Sequence, residues 1–100
     1  MLPTNAKLAA LFLQMADVLE ILGANRFRVI AFQRAARVLD DLATDVTDFD
    51  PEQLTSIDGI GKGMAERIRQ FTDTGQITEY QELLGEVPEG LLGLLDIPGL

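Results

Sequence analysis

The chain carries a glycine-rich turn with a single lysine inside it. Gly59, Gly61 and Gly63 are separated by Ile60 and by Lys62. Glycine adopts backbone angles that other residues avoid, and without a Cβ it lets an anion come close to the backbone amides. A helical pattern follows the turn, and the first N–H groups of a helix, together with the helix dipole, favour a phosphate. The chemistry that this segment could do is therefore phosphate binding through the backbone, with Lys62 adding positive charge.

The turn belongs to a longer pattern that is typical of a helix-hairpin-helix motif at residues 54–74. Ile57 and Ile60 would anchor the turn to a core, and the amides of residues 61–63 would contact a DNA backbone without reading its bases. A nucleotide-binding loop is not expected, because no strand precedes the glycines. A Gly-x-Gly pair by itself is also typical of a tight connection between two helices, and this alternative stays open. The pattern comprises Leu54, Ile57, Gly59, Ile60, Gly61, Ala65 and Ile68.

The distribution of charge favours an anionic ligand more than the total charge does. A net charge of -8 opposes binding to nucleic acid. Residues 26–37, however, hold four arginines and no acid, and residues 59–72 hold three cations and one acid, which gives these two segments a charge of +6. Segregated charge makes a local field. Alternatively, the arginines of the first segment pair with Asp40 and Asp41 on a solvated face. The candidate phosphate-binding residues are Gly59, Ile60, Gly61, Lys62, Gly63, Arg67, Arg28 and Arg34.

Composition excludes several other classes of site. The chain has no cysteine and no histidine, which excludes disulfides, thiol nucleophiles, imidazole bases and most zinc and haem sites. No nucleophile and base can be paired into a hydrolase site. The acidic residues 40–52 lack the calcium-loop pattern, and we predict a solvated loop there. No apolar run approaches the roughly 20 residues that span a bilayer, and the N-terminus lacks signal-peptide features, so we expect a cytoplasmic protein without membrane contact.

Helical periodicity predicts an all-α domain, a compact bundle of four to six helices. A first amphipathic helix contains Leu8 to Leu22, with Asn5 capping its start and Gly23 ending it. A second helix runs from about Arg26 to Leu42. Its predicted apolar face comprises Phe27, Phe32, Ala35, Ala36, Val38, Leu39 and Leu42.

The remaining predicted helices are shorter. Asp50 and Pro51 are typical of the N-cap and first residue of a helix that reaches about Ser56. A fourth helix begins after the glycine-rich turn and ends at Gly75. Two further helical pieces are predicted at residues 79–84 and 88–95. No strand is expected.

The domain is predicted to span residues 1–95. Residues 96–100 repeat the Ile-x-Gly-apolar core of the first hairpin. We therefore expect them to begin a second helix-hairpin-helix that is truncated in this chain.

Four segments together resemble the N-terminal domain of X-family, DNA polymerase beta-like DNA polymerases: residues 25–29, 31–38, 57–68 and 74–75. The resemblance is closest to bacterial members, in which a nucleotidyltransferase palm and commonly a C-terminal PHP domain follow. It implies a monomeric domain that binds the backbone of gapped DNA without sequence specificity and positions it for gap filling in base excision repair. Mg²⁺ or Mn²⁺ would be cofactors of the catalytic domains, which this chain lacks, and no cofactor is expected in the chain itself.

The same resemblance implies that this chain is not a lyase. Family members with lyase activity use a lysine Schiff base at the position of Arg67, and arginine stays protonated and cannot be that nucleophile. Basic positions of the family's 5′-phosphate pocket fall at Phe27, Thr55 and Gly63, and its tyrosine falls at Phe32. Arg28 is the one position of this pocket that still carries a charged side chain.

Two further expectations concern ligands. By resemblance, the backbone carbonyls of Thr55, Ile57 and Ile60 would hold a monovalent cation, Na⁺ or K⁺, that bridges to a DNA phosphate. The alternative function is a helix-hairpin-helix scaffold that binds a protein partner and no DNA, which the acidic composition favours.

Overall fold

The computed structural model of the chain describes residues 2–87, which form helices and no strand. The structure confirms the all-α prediction for this part of the chain, and the α3–α4 pair is the predicted helix-hairpin-helix. The helix predicted at residues 88–95 and the second hairpin at 96–100 lie outside the described residues. The elements are α1 (Pro3–Ile21), α2 (Arg26–Asp41), a 3₁₀ turn (Val46–Asp48), α3 (Pro51–Ser56), α4 (Lys62–Thr74) and α5 (Thr78–Glu86).

Helices α1 and α2 form the central pair of the fold. Gly23 has a φ of 74°, and the amides of Gly23 and Ala24 donate to the carbonyls of Glu20 and Leu19, which ends α1 with a Schellman motif. Asn25 then caps α2 by accepting a hydrogen bond from the Phe27 amide at 2.7 Å. Because the connection is short and backbone groups at both helix ends are hydrogen-bonded, α1 and α2 lie next to each other.

The core lies between α1 and α2 and extends beneath α4 and α5. The Phe12 and Phe32 rings meet edge to face with 5.5 Å between centroids, a favoured aromatic geometry. Buried Ala35 and Ala36 have side chains small enough for close packing of α2 on α1. The largest fully buried side chains are Phe12, Phe32, Leu8, Met15, Leu19, Leu39, Ile68, Ile77, Val18, Val46 and Asn5.

The prediction that Phe27 belongs to the buried face of α2 is wrong, because 83% of this residue is exposed. The core positions of α2 run back from Leu39 through Phe32 to Val29 in steps of three or four residues. Phe27 precedes Val29 by two residues, which turns it roughly 200° around the helix axis, away from α1.

Asn5 is not the N-cap of α1. The helix begins at Pro3, and Asn5 lies within its first turns, 1% exposed. Its Nδ2 donates to the Thr44 carbonyl at 3.0 Å, and its Oδ1 accepts from the Val46 amide at 2.9 Å. Asn5 therefore attaches the segment after α2 to α1, and the predicted solvated loop at 40–52 contains instead a 3₁₀ turn with buried Val46.

Helix α3 begins and ends as predicted, whereas α4 begins at Lys62, within the glycine-rich turn and not after it. Asp50 caps α3 through a capping box with Gln53, with distances of 2.8 and 2.9 Å, and Pro51 is the first helical residue. Helix α4 ends at Thr74 and is closed, as predicted, by Gly75, which has a φ of 81°. Across residues 2–87, every helix is too short or too polar to cross a bilayer.

We expect Asn5→Ala to lower the free energy of unfolding by about 2 kcal/mol, because it leaves the buried Val46 amide without an acceptor. Denaturant unfolding followed by circular dichroism measures this change. Gln81→Ala removes an exposed amide side chain on α5 and is the control. Equal stability of the two variants would show that Asn5 does not fix the loop.

Candidate nucleic-acid interface

The hairpin turn is fixed on the side that faces the protein. Helix α3 ends at Ser56, and the carbonyl of the next residue, Ile57, accepts a hydrogen bond from the Ile60 amide at 3.0 Å. Ile60 is 2% exposed. Gly59 has a φ of 94°, and a Cβ at this position would lie only 2.8 Å from Cγ2 of Val38 on α2. Gly59 therefore serves a packing requirement: it lets the turn press against α2 in a conformation that other residues rarely adopt.

The other side of the turn is open at the start of α4. Gly61 is the N-cap, with a φ of -82° and no side-chain hydrogen bond to the helix, and nothing lies within 4 Å of where its Cβ would be. Within residues 2–87, the backbone amides of Gly61, Lys62 and Gly63 donate to no protein acceptor. All three residues are exposed. The N-terminus of this 13-residue helix thus presents unpaired donors and the positive end of the helix dipole to solvent.

Two cations lie beside this open end. Lys62 is the first residue of α4, is exposed, and has no acidic group within 4.0 Å in the described part of the chain. Arg34 reaches the turn from α2, because the Cβ position of Gly59 lies 3.6 Å from its Cγ and Nε atoms. Arg34 pairs with Asp58 at 3.9 Å, but the two side chains are 64% and 99% exposed. Such a pair is weak and is screened by water, so it leaves Arg34 available to another anion.

The family described as "Helix-hairpin-helix domain" matches residues 3–77. The chain belongs to the helix-hairpin-helix domain family. It is also 38% identical over 86 residues to a protein named DNA polymerase/3′-5′ exonuclease PolX from Bacillus subtilis (strain 168). The match covers 86% of this chain and 15% of that protein. The resemblance to the N-terminal domain of X-family polymerases is confirmed.

Two predicted phosphate ligands of this helix-hairpin-helix domain are bound to a carboxylate. Arg67 of α4 donates from Nε to Oε1 of Glu79 at 2.6 Å and from Nη2 to Oε2 at 3.1 Å. Arg28 of α2 donates from Nη2 to the same Oε2 at 2.6 Å. The Arg67 guanidinium also lies 5.1 Å from the centroid of the Phe32 ring. We call Arg28, Arg67 and Glu79 the arginine cluster.

The arginine cluster differs electrostatically from the turn. The hydrogen bonds from Arg67 hold the pKa of Glu79 below its usual range against the opposing effect of partial burial, and Arg28 adds to this effect. Glu79 is therefore ionised at neutral pH and cancels one of the two guanidinium charges. Lys62 and Arg34 therefore remain available beside the open amides, whereas Arg28 and Arg67 are bonded to the partly buried carboxylate of Glu79.

Glu79 was not among the residues predicted from the sequence. It lies 12 residues after Arg67 and 51 after Arg28, and no local pattern connects three positions so far apart. Its place in the first turn of α5 is typical of an acid that favours a helix N-terminus, and that is the only local signal it gives. The folded chain brings the three side chains together from α2, α4 and α5, with Arg67 lying over the Phe32 ring.

No acidic metal centre accompanies the turn. Residues 2–87 contain no group of three or more histidine, cysteine, aspartate or glutamate side chains that could hold a metal ion. Of the carbonyls predicted to hold a monovalent cation, that of Ile57 already accepts the Ile60 amide. A cation would therefore use the second lone pair of the Ile57 carbonyl oxygen.

We expect the stability conferred by Glu79 to depend on pH. A carboxyl with a lower pKa in the folded chain than in the unfolded chain stabilises folding above its ordinary pKa, and this contribution is lost as pH falls through the lowered value. Wild type should therefore be more stable than Glu79→Gln near neutral pH. The difference should shrink as pH falls from about 5 to about 3.

Denaturant unfolding of both proteins at several pH values measures this difference. Glu82→Gln is the matched control, since Glu82 is exposed on the same helix and forms no ion pair within residues 2–87. A difference between wild type and Glu79→Gln that stays constant across this pH range would contradict the account of Glu79.

Proposed function

We propose that this helix-hairpin-helix domain binds the DNA backbone without sequence specificity, as the positioning domain of an X-family repair polymerase. The observation that carries the proposal is the open N-terminus of α4, where the amides of three exposed residues, Gly61 to Gly63, have no acceptor within residues 2–87 and Lys62 adds a cation. Backbone amides and a lysine recognise a phosphodiester by its charge and oxygens, which every DNA sequence presents.

The negative total charge of the chain is compatible with this proposal. Phosphate binding depends on the potential at the contact, and the turn combines the helix dipole with Lys62 and Arg34. Asp58 is the acid beside Arg34, and its side chain is 99% exposed and therefore well screened. The surrounding negative charge would restrict DNA contact to this one surface and would make the affinity modest.

The relative supports a role in polymerase function. Its name gives DNA polymerase and 3′-5′ exonuclease activities, and this chain spans about 15% of its length. We propose that the domain acts as a monomer in the cytoplasm, that it holds gapped DNA for gap filling in base excision repair, and that separate domains carry out the catalysis. The chain itself would have no lyase activity, since Arg67 replaces the required lysine and its guanidinium is bonded to Glu79.

We also propose that the hairpin carbonyls of Thr55, Ile57 and Ile60 hold Na⁺ or K⁺ when DNA is bound. The ion would offset the charge of a phosphate that lies next to carbonyl oxygens. Replacing K⁺ by the bulky tetramethylammonium ion at constant ionic strength should then weaken DNA binding.

A protein-interaction scaffold is the second candidate function. The observation in its favour is a pair of exposed apolar side chains one turn apart on α2, Phe27 at 83% and Ile30 at 43% exposure. Exposed aromatic groups are frequent anchors of protein interfaces. Binding through such a patch would respond little to salt, whereas binding of phosphates weakens steeply as salt rises.

We expect Lys62→Glu to weaken binding to a gapped duplex by at least about tenfold, because one charge-assisted contact is replaced by repulsion. The slope of log K against log salt should fall by about 1. Fluorescence anisotropy with a labelled gapped duplex at two or more salt concentrations measures both quantities.

Lys7→Glu is the matched control, because it makes the same change in total charge at a distant position. Lys7 lies beside Phe71 and Gly75 at the opposite end of α4, and its substitution should change the affinity by less than about threefold. Equal effects of the two substitutions, or wild-type binding that is insensitive to salt, would favour the scaffold function instead.

A further inference from the structure

The hairpin turn contains a dipeptide whose side chain can react with its own backbone. Asp58 is followed directly by Gly59, and no other aspartate and no asparagine of the sequence precedes a glycine. An aspartyl carboxyl can form a five-membered ring with the backbone nitrogen of the next residue. Glycine favours this reaction because it has no side chain to hinder the approach of the two groups.

The fold leaves both reacting groups accessible to each other. The Asp58 side chain is 99% exposed, and within residues 2–87 it pairs with Arg34 at 3.9 Å, which is beyond hydrogen-bond range. In the same part of the chain, the Gly59 N–H donates to no protein acceptor. The carboxyl is therefore free to rotate towards a nitrogen that no hydrogen bond holds.

Two other aspartates show the opposite arrangement. The carboxylate of Asp45 accepts two hydrogen bonds at the start of the 3₁₀ turn, and the amide that follows it, that of Val46, donates to buried Asn5. Asp50 caps α3 and precedes Pro51, which has no N–H. At these two positions the side chain, the next nitrogen, or both are already engaged.

We propose that Asp58–Gly59 is a site of spontaneous backbone isomerisation, through which the ageing chain loses the phosphate-binding geometry of its hairpin turn. The Gly59 nitrogen attacks Cγ of the protonated Asp58 carboxyl. A bond forms between this nitrogen and Cγ, and the carboxyl hydroxyl leaves as water with the amide proton. The product of this first step is a cyclic succinimide.

Solvent water completes the isomerisation. It adds to the main-chain carbonyl carbon of Asp58 and breaks the bond from this carbon to the Gly59 nitrogen. Gly59 is then linked through Cγ, and the former main-chain carbonyl is a free carboxylate, so residue 58 has become isoaspartate. One water is lost and one is gained, which leaves the mass and the number of carboxylates unchanged.

The turn has no room for the longer backbone. Isoaspartate adds one methylene to the main chain inside the turn that the hydrogen bond from Ile60 to Ile57 closes at 3.0 Å. The Cβ position of Gly59 already lies 2.8 Å from Cγ2 of Val38, and Ile60 is 2% exposed. The extra methylene must move Gly59 away from α2 or draw Ile60 out of the core. Either change displaces the amides of residues 61–63.

The chemical step is independent of the proposed function, whereas its effect on DNA rests on that function. The loss of binding assumes that the amides of the turn hold a phosphate. Because isomerisation conserves the number of carboxylates, the total charge of the chain stays the same. A loss of affinity would then report the displaced turn and not a change in net charge.

The test follows the chain during storage at physiological temperature and pH. Mass spectrometry with electron-transfer fragmentation distinguishes isoaspartate from aspartate and locates it. We expect isoaspartate to accumulate at residue 58 before it is detectable at Asp73, an exposed aspartate on α4 that precedes Thr74. Asp58→Glu is the matched control, because it keeps the charge but would have to close a six-membered ring. Asp58→Asn should form isoaspartate faster than wild type, since ammonia leaves a side-chain amide without prior protonation of a carboxylate.

Binding to a gapped duplex is then measured on the isomerised chain after its separation by ion exchange. Its affinity should be lower than that of fresh protein by at least about tenfold, the value of one lost charge-assisted contact. Asp58→Glu stored for the same time should keep its initial affinity. Circular dichroism of the isomerised chain should match that of fresh protein, because the displacement is confined to the turn.

Three results would overturn the proposal: isoaspartate that forms no faster at residue 58 than at Asp73, an isomerised chain that binds duplex as tightly as fresh protein, or a general loss of helix on isomerisation. A second readout separates this inference from the proposed function. If fresh protein binds no duplex, but isomerisation shifts the NMR signals of Val38 and Ile60, the function fails and the displaced turn stands. If fresh protein binds duplex and residue 58 does not isomerise, the function stands and the inference fails.

Discussion

The functional account depends on a set of backbone N–H groups that the fold leaves without partners. At the start of α4 no side chain caps the helix, since Gly61 has none to offer, and the amides of the exposed residues Lys62 and Gly63 have no acceptor within residues 2–87. This contrasts with α2 and α3, whose N-termini are capped by Asn25 and Asp50. An uncapped helix end costs stability in isolation. A phosphate that accepts these hydrogen bonds would supply the missing cap and interact with the helix dipole.

The remaining structure fixes the position of that helix end. On the side that faces the protein, the turn is fixed by buried Ile60 and by the close approach of Gly59 to Val38. Helix α2 contributes both Val38 and Arg34, so the packing that orients the turn also places a cation beside it. Two acids near these cations act differently: Asp58 lies in water and interacts weakly, whereas Glu79 is partly buried and cancels one charge of an arginine pair. Whether a cation is free to bind a phosphate therefore depends more on how buried its acidic partner is than on how many acids the chain carries.

The elements of the fold were predictable where local chemistry determines them. Signals that involve only a few neighbouring residues predicted these elements correctly. They are the Asp50-Pro51 start of α3, the glycines that close α1 and α4, and the hairpin pattern of Ile57 and Ile60. The errors had two causes, which are long-range hydrogen-bond partners and the register of a helix. Asn5 suits an N-cap by residue type but bonds to Thr44 and Val46, 39 and 41 residues away. Phe27 is apolar, yet the helical register of α2 places it in solvent. Arg28 was predicted as a phosphate ligand because its partner, Glu79, lies 51 residues away and gives no local signal.

The central claim, that the amides at the start of α4 bind a DNA phosphate, is tested most directly by NMR. In a titration of the ¹⁵N-labelled chain with a gapped duplex, the amide signals of Lys62 and Gly63 should move downfield more than those of other residues, because strong hydrogen bonds deshield the donated proton. The shifts should diminish as salt is raised. Signals at Lys62 and Gly63 that stay unchanged, while those around Phe27 and Ile30 move, would contradict the account and point to an apolar interface on α2.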